Sequence, residues 1–316
     1  MPAFQTTAAL AALKTTVSKV FRERTALTPQ TKSLGLYSVV PSTSKSNTYD
    51  WLAALAGLNE WIGPRAVEGV KERSFVAVNR HFQKTIGLDR NSLDDSPDSA
   101  IGDMQMRLEM LLEQADLLED DLILNPSGAA IPGLLALGAS TVCYDGQFFF
   151  DTDHPVELDG VISGTQSNYE ASAFALTSAN FQTARARMMA FRGENGRSRR
   201  AMPNLLVVPP ALEKAAHDIV TAEFGSSGAS NVQAGMAQVK VIPELSQISD
   251  TRWFLFDTIS PGPKPFLMQV RTPLNLVQKT SETDDNVFLD REYLWGVDRR
   301  LVGVYGLWHR AFSGSA

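Results

Sequence analysis

The most regular hydrophobic pattern in the chain lies between Ser96 and Asn125. Apolar residues recur there with alternating gaps of three and four, which is the spacing of one helix face. These residues are Ile101, Met104, Leu108, Leu111, Ala115, Leu118 and Leu122. Ser96 is expected to cap the helix, Pro97 suits its first turn, and Pro126 pushes Asn125 out of helical geometry. The pattern predicts a single helix over residues 97–124, about 42 Å long, packed against the chain's own sheet.

The segment 1–62 has the pattern of an arm that lies along another surface. Residues 5–24 predict an amphipathic helix, with Leu10, Leu13, Val17, Val20 and Phe21 on its apolar side. Polar stretches then flank a short apolar run at 34–40, which is too sparse to bury itself alone. Trp51 and Trp61 follow in a dense apolar stretch, and we expect them to anchor the arm in a core or on a neighbouring molecule.

Residues 63–92 predict a long hairpin that projects from the body. Two strand-like runs, 75–78 and 82–88, surround a polar turn at 79–81. A lone two-stranded hairpin is marginal in water, so it needs a partner surface, and its edges can pair with another chain. Arg80, His81 and Phe82 are therefore candidate contact residues, although an ordinary surface hairpin accounts for the same pattern.

The rest of the chain mixes helices and strands. After an apolar, partly strand-like stretch at 133–150, residues 157–178 predict a polar loop. Helices at 179–191 and 211–224 alternate with strands at 204–208, 239–242 and 253–257, which predicts a compact α/β unit over 178–262. Residues 263–316 predict strands at 266–271, 275–279, 288–293 and 301–308. We therefore expect an α+β fold.

Composition excludes several classes of protein. The chain of 316 residues has a formal net charge of −6, which argues against tight sequence-independent binding of nucleic acid. Its single cysteine, Cys143, rules out an internal disulfide and a thiolate metal cage. We find no apolar run long enough to span a membrane and no secretory signal pattern.

Two short stretches have side chains suited to chemistry. Asp151, Asp153 and His154 are residue types that bind Zn, Mn or Fe, although we favour a turn before Pro155 in which the Asp side chains accept backbone N–H groups. The second is a basic loop, whose arginines are Arg192, Arg197, Arg199 and Arg200. This loop suits phosphate or, as we favour, acidic residues of a neighbouring molecule.

Several long segments resemble one known family. They include SNTYDWL, LNEWIGPR, LDRNSLDD, CYDGQFFFDTDHPV, LLVVPPALEKAA, DDNVFLDREYLWGVDRR and VGVYGLWHRAF. These segments are similar to the Mu-like phage major head subunit, the gene product T family. The resemblance implies the HK97-type tailed-phage major capsid fold. That fold would place the N-terminal arm at 1–62, an extended hairpin (the E-loop) at 63–92, a peripheral domain at 93–177 with its spine helix at 96–125, an axial domain at 178–262 and returning peripheral strands at 263–316.

The resemblance also implies a function and a set of partners. Copies would assemble in the host cytoplasm into the pentamers and hexamers of an icosahedral head around double-stranded DNA. A separate scaffold protein and a maturation protease would assist, a decoration protein could bind outside, and no catalytic residue, cofactor or metal would be needed. A tail or connector protein and a metal-dependent hydrolase around Asp151, Asp153 and His154 are the alternatives.

Overall fold

The computed structural model describes residues 2–24, 29–49, 75–158, 161–193, 197–224 and 230–316. Its helices are α1 Pro2–Arg24, α2 Gln30–Ser33, α3 Arg90–Asp95, α4 Pro97–Leu124, α5 Leu134–Leu137, α6 Ser178–Ala190, α7 Glu213–Val220 and α8 Asp285–Leu289. Its strands are β1 Tyr37–Pro41, β2 Ser46–Thr48, β3 Val76–Val78, β4 Arg80–Asp89, β5 His154–Leu158, β6 Val161–Gln166, β7 Tyr169–Glu170, β8 Leu205–Val208, β9 Gln238–Val241, β10 Trp253–Phe256, β11 Phe266–Lys279, β12 Glu292–Tyr305 and β13 Ala311–Gly314.

The described strands form two larger sheets and two short ribbons. The first sheet has the order β1-β11-β12-β4 and is antiparallel except for the β1–β11 pair. The second has the order β7-β13-β10-β8-β9. β2 pairs with β3, and β5 pairs with β6. Most of these neighbours are distant in sequence, so the fold depends on long-range pairing.

The long helix is confirmed. α4 covers the 28 residues Pro97–Leu124, with Pro97 in its first turn and Asn125 already extended. Met104 and Leu108 are fully buried on the predicted stripe. The helix packs against β4 and β12 of the first sheet, as expected. The cap prediction is wrong, because the Ser96 side chain makes no capping hydrogen bond.

The N-terminal helix is also confirmed. α1 buries Leu13, Val17 and Val20 against α4. These side chains join a hydrophobic cluster around the first half of α4, which includes Tyr293 and Trp295. A second, larger cluster contains the last turns of α4 and the strands of the α/β unit.

The predicted hairpin pairing is wrong. β3 and β4 do not pair with each other, because β3 pairs with β2 and β4 pairs with β12. Asn79, expected in an exposed turn, is buried, and it donates to Ser42 Oγ and accepts from Gln269 Nε2. The antiparallel β2–β3 pair instead brackets residues 49–75, which include a segment outside the described residues.

Two further predictions are corrected by the structure, and one strand pairs in another sheet than its neighbours in the chain. The stretch 157–178, predicted as a loop, contains strands β5, β6 and β7. Phe288, predicted in a strand, lies in α8, and the strand begins at Glu292. β13, in the segment expected to return to the peripheral layer, pairs with β10 and β7 in the sheet of the α/β unit. The positions of α6, β8, β9 and β10 agree with the predicted elements to within one residue at each end.

Candidate assembly surfaces

Arg80, His81 and Phe82 open the edge strand β4. The Arg80 guanidinium lies 5.6 Å from the centre of the Phe82 ring, and His81 Nε2 lies 3.5 Å from Asp298 Oδ2 on the neighbouring strand. Arg80 and His81 are exposed, and Phe82 is half-buried against the larger cluster. The three side chains therefore lie along a sheet edge rather than on a hairpin tip. Trp51 and Trp61 lie outside the described residues.

The basic loop is fastened to the end of strand β6 through its backbone. The Arg192 amide donates to Gln166 Oε1 at 2.7 Å, and its carbonyl oxygen accepts from Gln166 Nε2 at 2.9 Å. Arg192 forms an isolated bridge with Ser198, and the Arg199 amide donates to the Phe191 carbonyl oxygen. Arg192, Arg197 and Arg200 are exposed, whereas Arg199 is half-buried.

Two more cations adjoin this loop. Arg310 donates to the carbonyl oxygens of Ser260 and Pro261. Burial lowers the pKa of Arg310, and Arg199 lowers it further against the opposing effect of Asp257. Burial also lowers the pKa of Lys264, with Arg310 as the next cause.

We define the basic patch as Arg192, Arg197, Arg199, Arg200, Lys264 and Arg310. Asp257, the carboxylate near it, is fully buried and accepts backbone N–H groups. Within the described parts of the chain, Nε and Nη2 of Arg199 are buried without a hydrogen-bond partner. The patch thus places six basic side chains close together in a chain of net negative charge.

The DTDHP stretch does not assemble a metal site from the three predicted ligands. The two ring nitrogens of His154 both face acceptors: Nδ1 lies 2.7 Å from Asp145 Oδ2, and Nε2 lies 3.2 Å from Asn168 Oδ1. His154 is fully buried, and both of its ring nitrogens lie within hydrogen-bond distance of protein oxygens, so neither is directed at an open coordination position. Asp151 accepts hydrogen bonds from the backbone amides of Phe148 and Thr152, as expected for an Asp that stabilises a turn. In the described ranges, no group of three or more His, Cys, Asp or Glu side chains is suited to holding a metal.

This histidine belongs to a buried polar network that the sequence did not reveal. Burial raises the pKa of Asp145, but the hydrogen bond and the charge of His154 outweigh this and hold the pKa below its usual value. The Cys143 thiol also bonds to Asp145 at 2.9 Å, and burial raises its pKa well above the usual value, so it is an inert thiol. The His154 ring stacks on Trp308 with centroids 3.8 Å apart. In the sequence, only the close spacing of Asp151, Asp153 and His154 indicated a site. Nothing near Asp145 or Asn168 in the sequence indicated that they contact His154.

A second network missed by the sequence reading attaches the arm to α4. Asp120 accepts the backbone amides of Gln30 (3.1 Å) and Thr31 (2.8 Å), and it also accepts the Thr31 hydroxyl. Glu119, the residue before Asp120, accepts a hydrogen bond from the Tyr37 hydroxyl and forms an ion pair with Arg299. Burial, followed by Glu119, raises the pKa of Tyr37 far above its usual value, so its hydroxyl stays a donor.

These two carboxylates are almost completely buried, at 5% and 9% exposed for Glu119 and Asp120. Buried carboxylates of this kind require partners, because an unpaired buried charge is strongly destabilising. The segment 30–37 supplies all of those described for Asp120, and for Glu119 it supplies Tyr37 beside Arg299 of β12. The described part of the arm after α1 is therefore held on α4 by these polar contacts, together with Leu36 and Tyr37, which are buried in the larger hydrophobic cluster.

Comparison with known proteins matches the chain to one family. The family model described as Mu-like prophage major head subunit gpT matches residues 10–175, 166–245 and 244–316. A Mu-like prophage FluMu major head subunit from Haemophilus influenzae is 26% identical over 278 residues, which is 87% of this chain and 63% of that protein. The major capsid protein of Escherichia phage Mu is 26% identical over 275 residues, with the same coverage. The chain spans less than two thirds of the length of these curated relatives.

Solved structures agree on the fold. The procapsid protein of bacteriophage JBD30 has a TM-score of 0.59 and 27% identity, covering 98% of this chain and 75% of that chain. The JBD30 capsid protein has a TM-score of 0.55 and 23% identity over 70% of this chain and 92% of that one, which supports the fold alone. The predicted capsid fold is confirmed. Because the family model matches the chain from residue 10 to residue 316, the protein belongs to the Mu-like prophage major head subunit gpT family and has the HK97-type capsid fold.

Proposed function

We propose that the chain is a major capsid protein whose copies assemble into the pentamers and hexamers of an icosahedral phage head that encloses double-stranded DNA. The observation that carries this proposal is the structural likeness to the JBD30 procapsid protein over 98% of the chain at 27% identity. The physical features agree with it. A net charge of −6 suits a shell that encloses DNA without gripping it.

The described surfaces suit repeated contacts between copies. β1 and β4 are the two edges of the first sheet, and sheet edges pair readily with other chains. Many modest contacts, repeated by symmetry, add up to a stable closed shell. We also propose that Trp51 and Trp61 serve as arm contacts and that Arg80, His81 and Phe82 contact a neighbour. Apart from β13, which pairs in the sheet of the α/β unit, we propose that the domain boundaries follow the resemblance.

The basic patch would take acidic side chains of a neighbouring copy. Arg197→Glu combined with Arg200→Glu is expected to leave the melting temperature of the unassembled subunit unchanged, since both side chains are exposed. The same change should weaken assembly. Normal assembly of this variant would refute the role of the patch.

A separate scaffold protein and a maturation protease would act on the assembling shell, and a decoration protein could bind the finished head. The virion would be the final location, with assembly in the host cytoplasm. Among the described residues, no helix is long and apolar enough to cross a membrane.

The test is to express the chain alone and with its presumed scaffold, and to examine the products by mass photometry and negative-stain microscopy. Closed shells, or pentamers and hexamers, are expected. Rings or tubes would support a tail or connector protein instead. A stable monomer that binds a metal stoichiometrically, and loses it in Asp153→Ala, would refute the capsid function.

A further inference from the structure

The turn between β11 and β12 presents two adjacent apolar side chains to solvent. Phe288 and Leu289, at the end of α8, are 80% and 71% exposed. Val287 beside them is buried and belongs to the hydrophobic cluster around the first half of α4. Asn286 Nδ2 donates to carbonyl oxygens on both sides of the turn, at 3.1 Å and 2.6 Å. The exposed pair is therefore held on a fixed support.

We call residues 285–290 the knob. Its two flanking acidic residues, Asp285 and Asp290, are exposed on either side of the apolar pair. A contiguous exposed apolar surface with a polar rim is typical of an interaction site. Since the support is rigid, little conformational entropy would be lost when the knob docks.

A groove of matching character lies elsewhere on the same molecule. It encloses about 510 Å³ between α4 and the strands β4 and β12, within the size range that holds a small ligand or a few side chains. Its lining includes Ile86, Leu111, Leu118 and Leu274. Met110, at the same groove, is 62% exposed.

The rim of the groove carries positive charge. Lys84 and Arg107 line it and are exposed. Across the described ranges, neither side chain forms an ion pair. Asp298, also in the lining, already faces His81. An apolar groove whose rim carries two cations complements an apolar knob with two acidic neighbours.

The two surfaces cannot meet within one copy. The knob adjoins the start of β12, whereas the groove is lined by Val297, Asp298 and Arg299 of the same strand. Six residues lie between Asp290 of the knob and Val297 of the groove, about 20 Å along the strand, and β12 is paired with both β11 and β4 over this stretch. A contact between knob and groove is therefore a contact between two copies. Because the two surfaces differ, such a contact is heterologous, and it generates rings or extended lattices.

We propose that the knob of one copy, with Phe288 and Leu289 as its anchors, docks in the groove of a second copy beside Met110, Lys84 and Arg107. This inference rests on the proposed capsid function and adds a specific contact to it. The occupant is a second copy of this chain because the apolar surfaces and the opposite charges are both supplied by the same molecule.

Disulfide cross-linking tests the contact directly. The variant pair Leu289→Cys and Met110→Cys is made in one chain, whose native Cys143 is buried and does not compete. On mild oxidation of assembled shells, non-reducing electrophoresis is expected to show a ladder of covalent multimers. The control combines Met110→Cys with Val232→Cys, a residue of similar exposure at 77% on a different part of the molecule. It should give no ladder.

Charge reversal gives an independent test. Asp285→Lys and Arg107→Glu should each raise the subunit concentration needed for assembly by about tenfold or more, and the double variant should restore assembly. Phe288→Asp should weaken assembly, while Val232→Asp should not, with the melting temperature of each unassembled subunit unchanged.

The outcomes separate this contact from the general function. Shells that form without a ladder, or charge reversals that do not rescue each other, overturn the knob–groove contact and leave the capsid function standing. Such a result would assign the groove to another occupant, such as a decoration protein. A wild-type chain that never assembles, even with its scaffold, overturns both proposals.

Discussion

Removal of the Asp120 carboxylate is expected to release the arm from α4. In the structure this carboxylate accepts the amides of Gln30 and Thr31 and the Thr31 hydroxyl. Thr31 is fully buried, so Asp120→Ala leaves its two donors without partners. A hydrogen bond to a charged acceptor contributes roughly 1.5–3 kcal/mol, and an unpaired buried donor costs about 1–3 kcal/mol. Because the bonds share one acceptor, we expect a combined loss of about 3 kcal/mol rather than the full sum.

A loss of this size has a local and measurable consequence. Since each 1.4 kcal/mol corresponds to about a tenfold change, the population with a detached arm should rise about a hundredfold. Hydrogen exchange of the amides at 30–37 should accelerate by a similar factor in the unassembled subunit. Trypsin cleavage after the exposed Lys32 should accelerate in parallel.

The adjacent carboxylate supplies the matched control. Burial raises the pKa of Asp121, and the nearby Asp120 and Glu244 raise it further. Its charge is therefore unfavourable in the folded chain, and Asp121→Asn should leave the arm protected. Unchanged exchange at 30–37 in Asp120→Ala, or equal acceleration in Asp121→Asn, would show that the carboxylate does not hold the arm.

Three further predictions concern the stability of the folded chain. Asp145→Ala leaves the buried His154 without its charged partner and should lower the free energy of unfolding, measured by urea titration, by about 3–5 kcal/mol. Asp153→Ala, at an exposed position, should lower it little. Equal urea midpoints for the two variants would contradict a stabilising role of the Asp145–His154 contact. Burial holds the pKa of His309 well below its usual value, so the unfolded chain binds a proton that the folded chain does not. Stability should therefore fall as the pH drops below about 6.5, by up to about 1.4 kcal/mol per pH unit, and His309→Gln should flatten this slope in urea titrations between pH 5 and 7. Gly102→Ala, where a Cβ meets nothing within 4 Å inside α4, should raise stability by about 0.5–1 kcal/mol; a lower melting temperature would refute the helix-propensity argument.

The local helical pattern was sufficient to locate α4 and α1. Both helices bury one stripe, and a stripe of period 3.6 can be read from neighbouring residues alone. The same holds for the buried strand β8, whose four residues are all buried. These elements share one property: their signal lies within a single window of sequence.

Strand pairing was not predictable from such windows. β3 and β4 follow each other in the chain, yet they pair with β2 and β12, the latter more than 200 residues away. Asn79 has the composition of a turn residue, but it forms part of a buried polar contact with Gln269. An alternating pattern identifies a strand without identifying its neighbour, because register and partner are chosen by the whole sheet.

The polar networks were hidden for a related reason. Thr31 meets Asp120 across 89 positions, and Glu119 meets Arg299 across 180. In the sequence, Glu119 and Asp120 belong to the acidic side of an amphipathic helix and therefore predict an exposed face. They became buried because the arm and β12 cover that side of α4. A helix stripe identifies which face is apolar, but not which polar positions another segment will cover.

The groove lies where α4 passes from one hydrophobic cluster to the other. The first half of the helix, as far as Leu112, packs in the cluster with α1, and residues from Leu118 onward pack in the larger cluster. Between them the apolar stripe continues through Ala115, which is only half-buried, and the groove opens at this junction. A folded chain normally closes such a gap with its own side chains, because unfilled apolar contacts cost stability. Here Ala115 stays half-buried, and Met110 at the groove and Met106 one turn before it are more than 60% exposed, which is the arrangement expected if a neighbouring copy completes the packing.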